Sequence, residues 1–189
     1  MQTDEELMAA YVAGDKSAFR ALFERHAPAL ERVMQRDLAE REEARDLVQQ
    51  TFLQLHRARL DFDPKQRLKP WLYTIALNLK REHFRKRRRR PERPDSDQAD
   101  RQPTAPRGQE QTEARRSLGW ALERIPPEQR EVIELHWLAG LSFPELSESM
   151  GISVAAAKVR AHRGYLRLRE LLGDGALGEA GRDAAKEAP

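Results

Sequence analysis

Hydrophobic positions recur at helical spacing along most of this chain. Residues 15–38 place apolar side chains near one stripe: Phe19, Leu22, Phe23, Leu30, Val33 and Met34. Residues 40–59 repeat the pattern with Ala44, Leu47, Val48, Thr51 and Leu55. An apolar side chain at every third or fourth position lines one face of a helix, whereas strands alternate with a period of two. No clear period-two segment occurs, so the pattern predicts an all-α fold.

Several residues mark where the predicted helices begin, bend or end. Thr3 and Glu6 have the spacing of a capping box in front of the first helix. Pro28 is expected to bend or interrupt the second helix. Pro70 is expected to open a helix that runs to about residue 90, and the pair Pro126-Pro127 to end one helix and start another.

Residues 91–112, PERPDSDQADRQPTAPRGQEQT, contain no aliphatic side chain larger than alanine. Such a segment cannot bury enough apolar surface to offset the entropy lost on ordering. We therefore predict two small helical domains, residues 1–90 and 113–172, joined by a flexible linker over residues 91–112. Residues 173–189 are rich in glycine and alanine and are predicted to form a disordered tail.

The residues around Gly151 have the spacing of helix caps and a turn that is typical of a helix-turn-helix motif. Ser142 and Glu145 are spaced as a capping box for a short helix, Gly151 permits a tight turn, and Ser153 caps a long basic helix. An ordinary helical hairpin would show the same caps and turn. Residues predicted to form the core face of the long helix are Val154, Ala157, Ala161, Gly164, Leu168 and Leu171.

The opposite face of the long helix combines small and basic side chains near its start. These are Ala155, Lys158, Val159, His162 and Arg163. In a helix-turn-helix the start of the second helix enters the major groove, where Arg163 could bond a guanine edge. Arg160 lies at the flank, where a phosphate contact is expected. The alternative is that these cations only solubilise the surface.

The helix predicted from Pro70 is apolar on two sides. Leu68, Leu72, Ile75 and Leu79 form one stripe, and Tyr73, Leu77, Lys80, Arg81, Phe84 and Arg88 form another. Aromatic rings interleaved with cations suit a single-stranded nucleic acid, because rings stack on bases and cations follow the backbone. The second stripe could equally pack against a neighbouring helix. The run RKRRRR that follows is expected to be a solvated electrostatic patch.

Composition narrows the classes of function. The 189 residues are 39% hydrophobic and 34% charged, with a net charge of +3 that hides a strongly basic segment before the linker. With no cysteine there is neither a disulfide framework nor a thiolate zinc site. The five histidines lack metal-ligand spacing and no phosphate-binding glycine loop occurs. We expect no catalysis, metal or cofactor, and a cytoplasmic chain without membrane contact.

Four segments in order resemble the extracytoplasmic-function (ECF) sigma factors, a compact group of the bacterial sigma-70 family. They are ARDLVQQTFLQLH, LKPWLYTIALNLKREHFRKRRR, LERIPPEQREVIELHWLAGLSFPELSESMGIS and KVRAHRGYLRLRELL. The resemblance implies a promoter-specificity factor with two partners, the core of bacterial RNA polymerase and promoter DNA. It also implies control by an anti-sigma factor.

The resemblance assigns roles residue by residue. Asp46, Leu47, Gln49 and Gln50 match the family pattern DLVQETF, which faces the polymerase clamp in the β′ subunit, with Gln50 replacing the usual glutamate. Residues expected to hold the separated −10 strand are Phe62, Lys65, Lys69, Asn78, Lys80, Arg81, Phe84, Arg85 and Arg88. Lys158, Val159, His162 and Arg163 match the family's −35 base-facing positions, and Ala155 and Arg160 lie beside them.

Two other classes of protein are weighed against a sigma factor. A free-standing helix-turn-helix repressor or activator would bind duplex DNA without polymerase, usually as a symmetric dimer. The sequence shows no heptad or dimerisation helix that would support it. An enzyme is the third class, and the missing motifs for metal and phosphate disfavour it.

Overall fold

The computed structural model of the chain describes residues 2–38, 40–89 and 109–173, which form eight helices and no strand. The helices are α1 (Asp4–Val12), α2 (Lys16–Gln35), α3 (Arg41–Arg57), α4 (Leu68–Arg89), α5 (Gln109–Arg124), α6 (Pro127–Trp137), α7 (Phe143–Met150) and α8 (Val154–Leu172). The predicted all-α fold class is confirmed. Most of the predicted linker and tail lies outside the described residues, but 109–112 belong to α5. Within the described part of the chain, no helix is long and apolar enough to cross a membrane.

Local chemistry accounts for several helix ends. Thr3 Oγ1 accepts the Glu6 N–H at 3.1 Å and Glu6 Oε2 accepts the Thr3 N–H at 2.8 Å, which is the predicted capping box. Pro127 is the first residue of α6, a position that needs no N–H donor. Helix α2 continues through Pro28 without a break. Helix α4 begins at Leu68, so Pro70 lies within its first turn rather than opening it.

One compact unit contains α1 to α4 together with residues Pro144–Gly151. Its apolar core includes the fully buried side chains Leu22, Leu30, Met34, Leu55, Leu72 and Leu77. Polar contacts join helices that are distant in sequence: the Leu68 N–H donates to Glu5 Oε1 at 3.1 Å, which ties α1 to the start of α4. Helix α7 belongs here through the Ser149 hydroxyl, 3.2 Å from the Pro70 carbonyl oxygen, and through an Arg67–Glu145 ion pair at 3.3 Å.

The other compact unit contains α5, α6 and α8. Helices α6 and α8 approach closely because Gly164 has no side chain: a Cβ atom there would lie 2.5 Å from Ile133 Cδ1. The Trp137 and Tyr165 rings extend the same seam, with their centroids 5.4 Å apart. In the last turn of α6, the His136 ring stacks on Phe143, and its Nδ1 lies 2.6 Å from the Leu141 carbonyl oxygen. This carbonyl can only accept, so the Nδ1 nitrogen carries the hydrogen.

Candidate nucleic-acid interface

Helix α8 begins with the predicted serine cap. Ser153 is extended, and its hydroxyl accepts the Ala156 N–H at 3.1 Å, so the helix starts at a defined residue. Gly151, two residues earlier, has a φ of +65°, which a side chain would make strained. The cap and the glycine fix which residues lie in the first turns of α8.

The two faces of α8 have the predicted character in their central part. Ala157, Ala161, Gly164, Tyr165 and Leu168 are buried, and Ala155, Val159 and Arg163 are exposed on the opposite side. Two residues expected in the core, Val154 and Leu171, are instead 38% and 36% exposed at the two ends of the helix. We call Ala155, Lys158, Val159, Arg160, His162 and Arg163 the α8 surface.

The polar side chains of the α8 surface differ in exposure. Arg163 is exposed, whereas Lys158, Arg160 and His162 are half-buried. The Lys158 ammonium lies 6.0 Å from the centroid of the Phe143 ring, at the outer limit of a cation–π contact. The exposed Arg163 suits a contact with base edges. Lys158, held near the Phe143 ring, suits a positioned contact with a phosphate.

Both apolar sides of α4 are buried over much of its length. Leu68 and Leu72 of the predicted core stripe are fully buried, and so is part of the second stripe. Tyr73 and Leu77 are fully buried, and Lys80 is 6% exposed with its ammonium 2.6 Å from Asp37 Oδ2. Asp37 lies just after α2, so the stripe formed by Tyr73, Leu77 and Lys80 faces inward. The sequence assigned Lys80 to the −10 strand. In the structure its ammonium instead forms an internal ion pair with Asp37.

Burial also sets the protonation of Tyr73. Removal from water raises the pKa of its hydroxyl well above the ordinary value of 10.0, and the Arg32 charge opposes that rise only in part. Tyr73 is thus a neutral core residue. The alternative weighed from the sequence, that this stripe packs on a neighbouring helix, is correct for Tyr73 and Leu77.

The solvent side of α4 carries another row of side chains at helical spacing. We call it the α4 stripe, and it consists of Trp71, Thr74, Asn78, Arg81 and Arg85. Asn78, Arg81 and Arg85 are exposed, Trp71 and Thr74 are half-buried, and Arg81 Nη1 lies 3.5 Å from Asn78 Oδ1. The stripe joins an indole, an amide and two guanidinium groups, which are groups that stack on, bond to and neutralise an unpaired strand.

The loop before α4 packs against Trp71 through the ring of Phe62. Phe62, predicted to meet the −10 strand, is buried, and its ring centroid lies 5.1 Å from that of Trp71. Phe62 is therefore turned towards Trp71 and largely removed from solvent, against its expected contact with the −10 strand. Lys65 in the same loop is exposed, and Lys69 is half-buried.

The remaining −10 candidates lie towards the end of α4. Phe84 is half-buried and meets His83 edge to face, with ring centroids 5.7 Å apart. The Arg88 side chain lies outside the described residues. The sequence does not decide whether Trp71 and Tyr73 are core or strand-binding, and for Trp71 only the spacing from Asn78 and Arg85 could have indicated its face.

Helix α3 presents three of its four predicted polymerase-facing residues. Asp46, Gln49 and Gln50 are exposed, but Leu47 is only 3% exposed. Leu47 lies in the core, and its carbonyl oxygen accepts the Thr51 hydroxyl at 2.7 Å. It supports the helix from inside and cannot contact a partner directly, so its assignment is corrected.

Gln49 borders an open apolar cavity of about 310 Å³ that the sequence did not reveal. We call it the α3 groove; its lining is Tyr11, Phe19, Phe23, Gln49, Phe52, Leu53 and His56. Leu53 is 48% exposed and Phe23 is 37% exposed. The Tyr11 hydroxyl and His56 Nδ1 form a hydrogen bond that joins α1 to α3 at one side. Exposed large apolar side chains around a cavity are typical of a protein-binding surface.

Comparison with known proteins identifies the two segments that carry these surfaces. Residues 22–90 match the family described as Sigma-70 region 2, and residues 115–168 match Sigma-70, region 4. The α3 groove and α4 stripe fall largely in the first match, and the α8 surface falls in the second.

Full-length relatives show the same order. The RNA polymerase sigma factor CarQ of Myxococcus xanthus is 38% identical over 161 residues, covering 85% of this chain and 92% of that protein. The ECF RNA polymerase sigma factor SigM of Mycobacterium tuberculosis is 33% identical, covering 91% and 86%.

A solved structure agrees with these relatives. The sigma factor RpoE of Bartonella quintana, determined in complex with the anti-sigma factor NepR, superposes with a TM-score of 0.66 at 29% identity. The match covers 82% of this chain and 96% of that one. The chain belongs to the extracytoplasmic-function group of the sigma-70 family of RNA polymerase sigma factors.

Proposed function

We propose that three separate surfaces divide the work of promoter recognition in this sigma factor. The α3 groove with Asp46, Gln49 and Gln50 binds the clamp of core polymerase. The α4 stripe, with Lys65, holds the unpaired −10 strand, and the α8 surface reads the −35 duplex. Residues 1–90 and 113–172 act as the two domains, apart from Pro144–Gly151, which packs with α1 to α4, and the link between them ends where α5 begins at Gln109.

The observation that carries this proposal is the α8 surface. A capped helix turns Ala155, Val159 and Arg163 to solvent while its other face is buried, as a helix entering a major groove requires. The α4 stripe adds exposed amide and guanidinium groups beside a supported indole. These two surfaces differ in chemistry, one suited to base edges in a duplex and the other to unpaired bases.

The mechanism is one of binding without catalysis. Phosphate and base contacts from α8 set the register, and the α4 stripe traps bases that open while polymerase holds the duplex. Capture of the open strand shifts the equilibrium towards melting, because the stripe has no matching partner in the closed duplex. Turnover by the purified chain that a point substitution abolishes would contradict this.

An anti-sigma factor is the regulator that this proposal includes. RpoE of Bartonella quintana, a relative of known structure, was determined in complex with the anti-sigma factor NepR. A protein of that class would compete with polymerase by covering the exposed apolar side chains of the α3 groove. The cytoplasm is the compartment in which such a chain would meet polymerase and promoter.

Binding to core polymerase tests the first surface. We expect Leu53→Asp to weaken binding at least tenfold, because it places a charge in an apolar contact. Leu60→Asp is the matched control: Leu60 is 73% exposed and lies outside the groove, so its change should leave the affinity unaltered. Competition of labelled and unlabelled sigma for core measures both. Equal losses from the two variants would show that the α3 groove is not the docking surface.

A further inference from the structure

The residue of α8 that faces most directly away from its buried side is a valine. At 100° per residue, Val159 lies opposite the buried row formed by Ala157, Ala161 and Leu168. It is 44% exposed, and its nearest neighbours on that face are Ala155 one turn before and Arg163 one turn after.

Valine is a poor choice for an exposed position in a helix. A β-branched side chain loses rotamer freedom in a helix, and alanine, arginine or lysine would favour the helix more. Burial offers no compensation, because nearly half of the side chain faces water. An isolated exposed valine would be unremarkable, but Val159 sits between Lys158, Arg160 and Arg163 at the centre of a surface otherwise suited to DNA.

The chemistry of valine selects one feature of the major groove. Valine neither donates nor accepts hydrogen bonds, and the only apolar group on the base edges in that groove is the 5-methyl of thymine. The small side chain of Ala155 leaves room for the start of α8 to approach the bases, and the surrounding cations supply attraction to the phosphates.

We infer that Val159 reads a thymine of the −35 element through its 5-methyl group, with Ala155 beside it and Arg163 contacting a neighbouring base or phosphate. This rests on the proposed function, because it specifies what the α8 surface recognises. Val159 is then a specificity residue: it favours thymine over the other bases without forming a hydrogen bond.

Replacement of thymine by deoxyuridine tests the inference, since it removes only the methyl. The probe is a promoter selected from random duplexes by holoenzyme containing the full chain, with each −35 thymine replaced in turn. We expect one replacement to weaken holoenzyme binding about fourfold, the effect of one buried methyl. In Val159→Ala holoenzyme the same replacement should change binding by less than about twofold.

Val154→Ala is the matched control, because it removes the same two methyl groups from the same helix. Val154 is similarly exposed but lies about 140° around α8 from Val159. Its variant should keep the full sensitivity to deoxyuridine, and circular dichroism should show both variants folded.

The possible outcomes separate the inference from the function on which it rests. A −35 element with no methyl-sensitive thymine would overturn the inference, as would unchanged sensitivity in Val159→Ala. In both cases, scrambling the −35 element would still weaken binding, and the proposed function would stand. Binding that is indifferent to the scrambled −35 element would overturn the proposed function and the inference together.

Discussion

At the scale of single residues, burial decides what a charged side chain can do. Lys80 and Arg81 are adjacent in sequence and both looked like ligands of a DNA strand. Lys80 is 6% exposed and pairs with Asp37 at 2.6 Å, whereas Arg81 lies on the solvent side of α4. The helical period and the charges alone could not show that Lys80 is buried and Arg81 exposed, because the partner of Lys80 lies 43 positions away.

Lys80→Met should act on stability rather than on strand binding. The methionine keeps the apolar stem but removes the ammonium from a largely buried carboxylate. We expect a loss of about 3 kcal/mol, in the range found when one member of a buried pair is removed. Urea unfolding followed by circular dichroism measures it.

Lys65→Met is the control for that experiment, because Lys65 is exposed in the loop before α4. Its urea midpoint should match that of the unchanged chain. A Lys80→Met variant that is equally stable, yet binds the −10 strand poorly, would return Lys80 to the strand-binding surface.

Asp4 gives a prediction that depends on pH. Its burial would raise the carboxyl pKa, but His26 at 2.8 Å and Arg25 at 2.5 Å together lower it below the ordinary 3.8. A lowered folded-state pKa stabilises the fold above pH 3.8, and this contribution is lost as the pH falls through the folded value. Asp4→Asn should therefore reduce stability at neutral pH, with the difference shrinking below pH 3.8.

Urea midpoints of the two proteins between pH 7 and pH 3 test this. A difference that stays constant over the whole range would mean that the Asp4 charge contributes nothing, and that the substitution acts only through packing.

At the scale of helices, local signals predicted ends better than faces. The Thr3 capping box, the Pro127 start and the Ser153 cap are confirmed because each depends on residues within one turn. On α4, Leu68 and Leu72 of the predicted core stripe are buried, and so are Tyr73 and Leu77 of the second stripe. The pattern left the second stripe open because only the packing partners decide how much of a helix that is apolar on two sides is buried. Pro28 was expected to bend or interrupt α2, and the helix is not interrupted there.

Gly164 is the point at which packing between helices can be tested most sharply. A Cβ atom there would lie 2.5 Å from Ile133 Cδ1 and 3.3 Å from Gln129 Cβ. We expect Gly164→Ala to lower the free energy of unfolding by about 1–3 kcal/mol, the cost of overpacking a tight seam. Thermal unfolding followed by circular dichroism provides the measurement.

Gly119→Ala is the matched control, since a Cβ atom at that helical position meets nothing within 4 Å. It should raise stability by about 0.5–1 kcal/mol, because alanine loses less backbone entropy in a helix. Adding Ile133→Val, which removes the clashing Cδ1, should restore part of the loss from Gly164→Ala. If Gly164→Ala also stabilises the protein, the seam is not overpacked by a Cβ atom and the end of the Ile133 side chain moves aside at little cost.

At the scale of the whole molecule, the three proposed surfaces differ in how many segments of the chain build them. The order of four motifs in the sequence indicated the family, and the regions matched to known proteins confirm it. The α3 groove was not predictable because its walls come from α1, α2 and α3, which supply Tyr11, Phe23 and Leu53. The α8 surface was largely predictable, since a cap and a 3.6-residue period define it within one helix.

In the proposed function, the division into three surfaces makes the chain an adaptor between polymerase and promoter. The α3 groove offers apolar contact to a protein, the α4 stripe offers stacking and charge to a strand, and the α8 surface offers donors and a methyl-sized apolar contact to a duplex. Loss of any one of them should abolish promoter-specific initiation without unfolding the protein.

Transcription from genomic DNA fragments by bacterial core polymerase, with and without this chain, tests whether the chain directs initiation at specific promoters. We predict discrete new transcripts that depend on the chain and are lost with Arg163→Ala. Arg167→Ala, an exposed arginine one turn further along α8, should retain them. No stimulation of core polymerase, together with tight binding of duplex DNA in its absence, would contradict the account and favour a free-standing DNA-binding regulator.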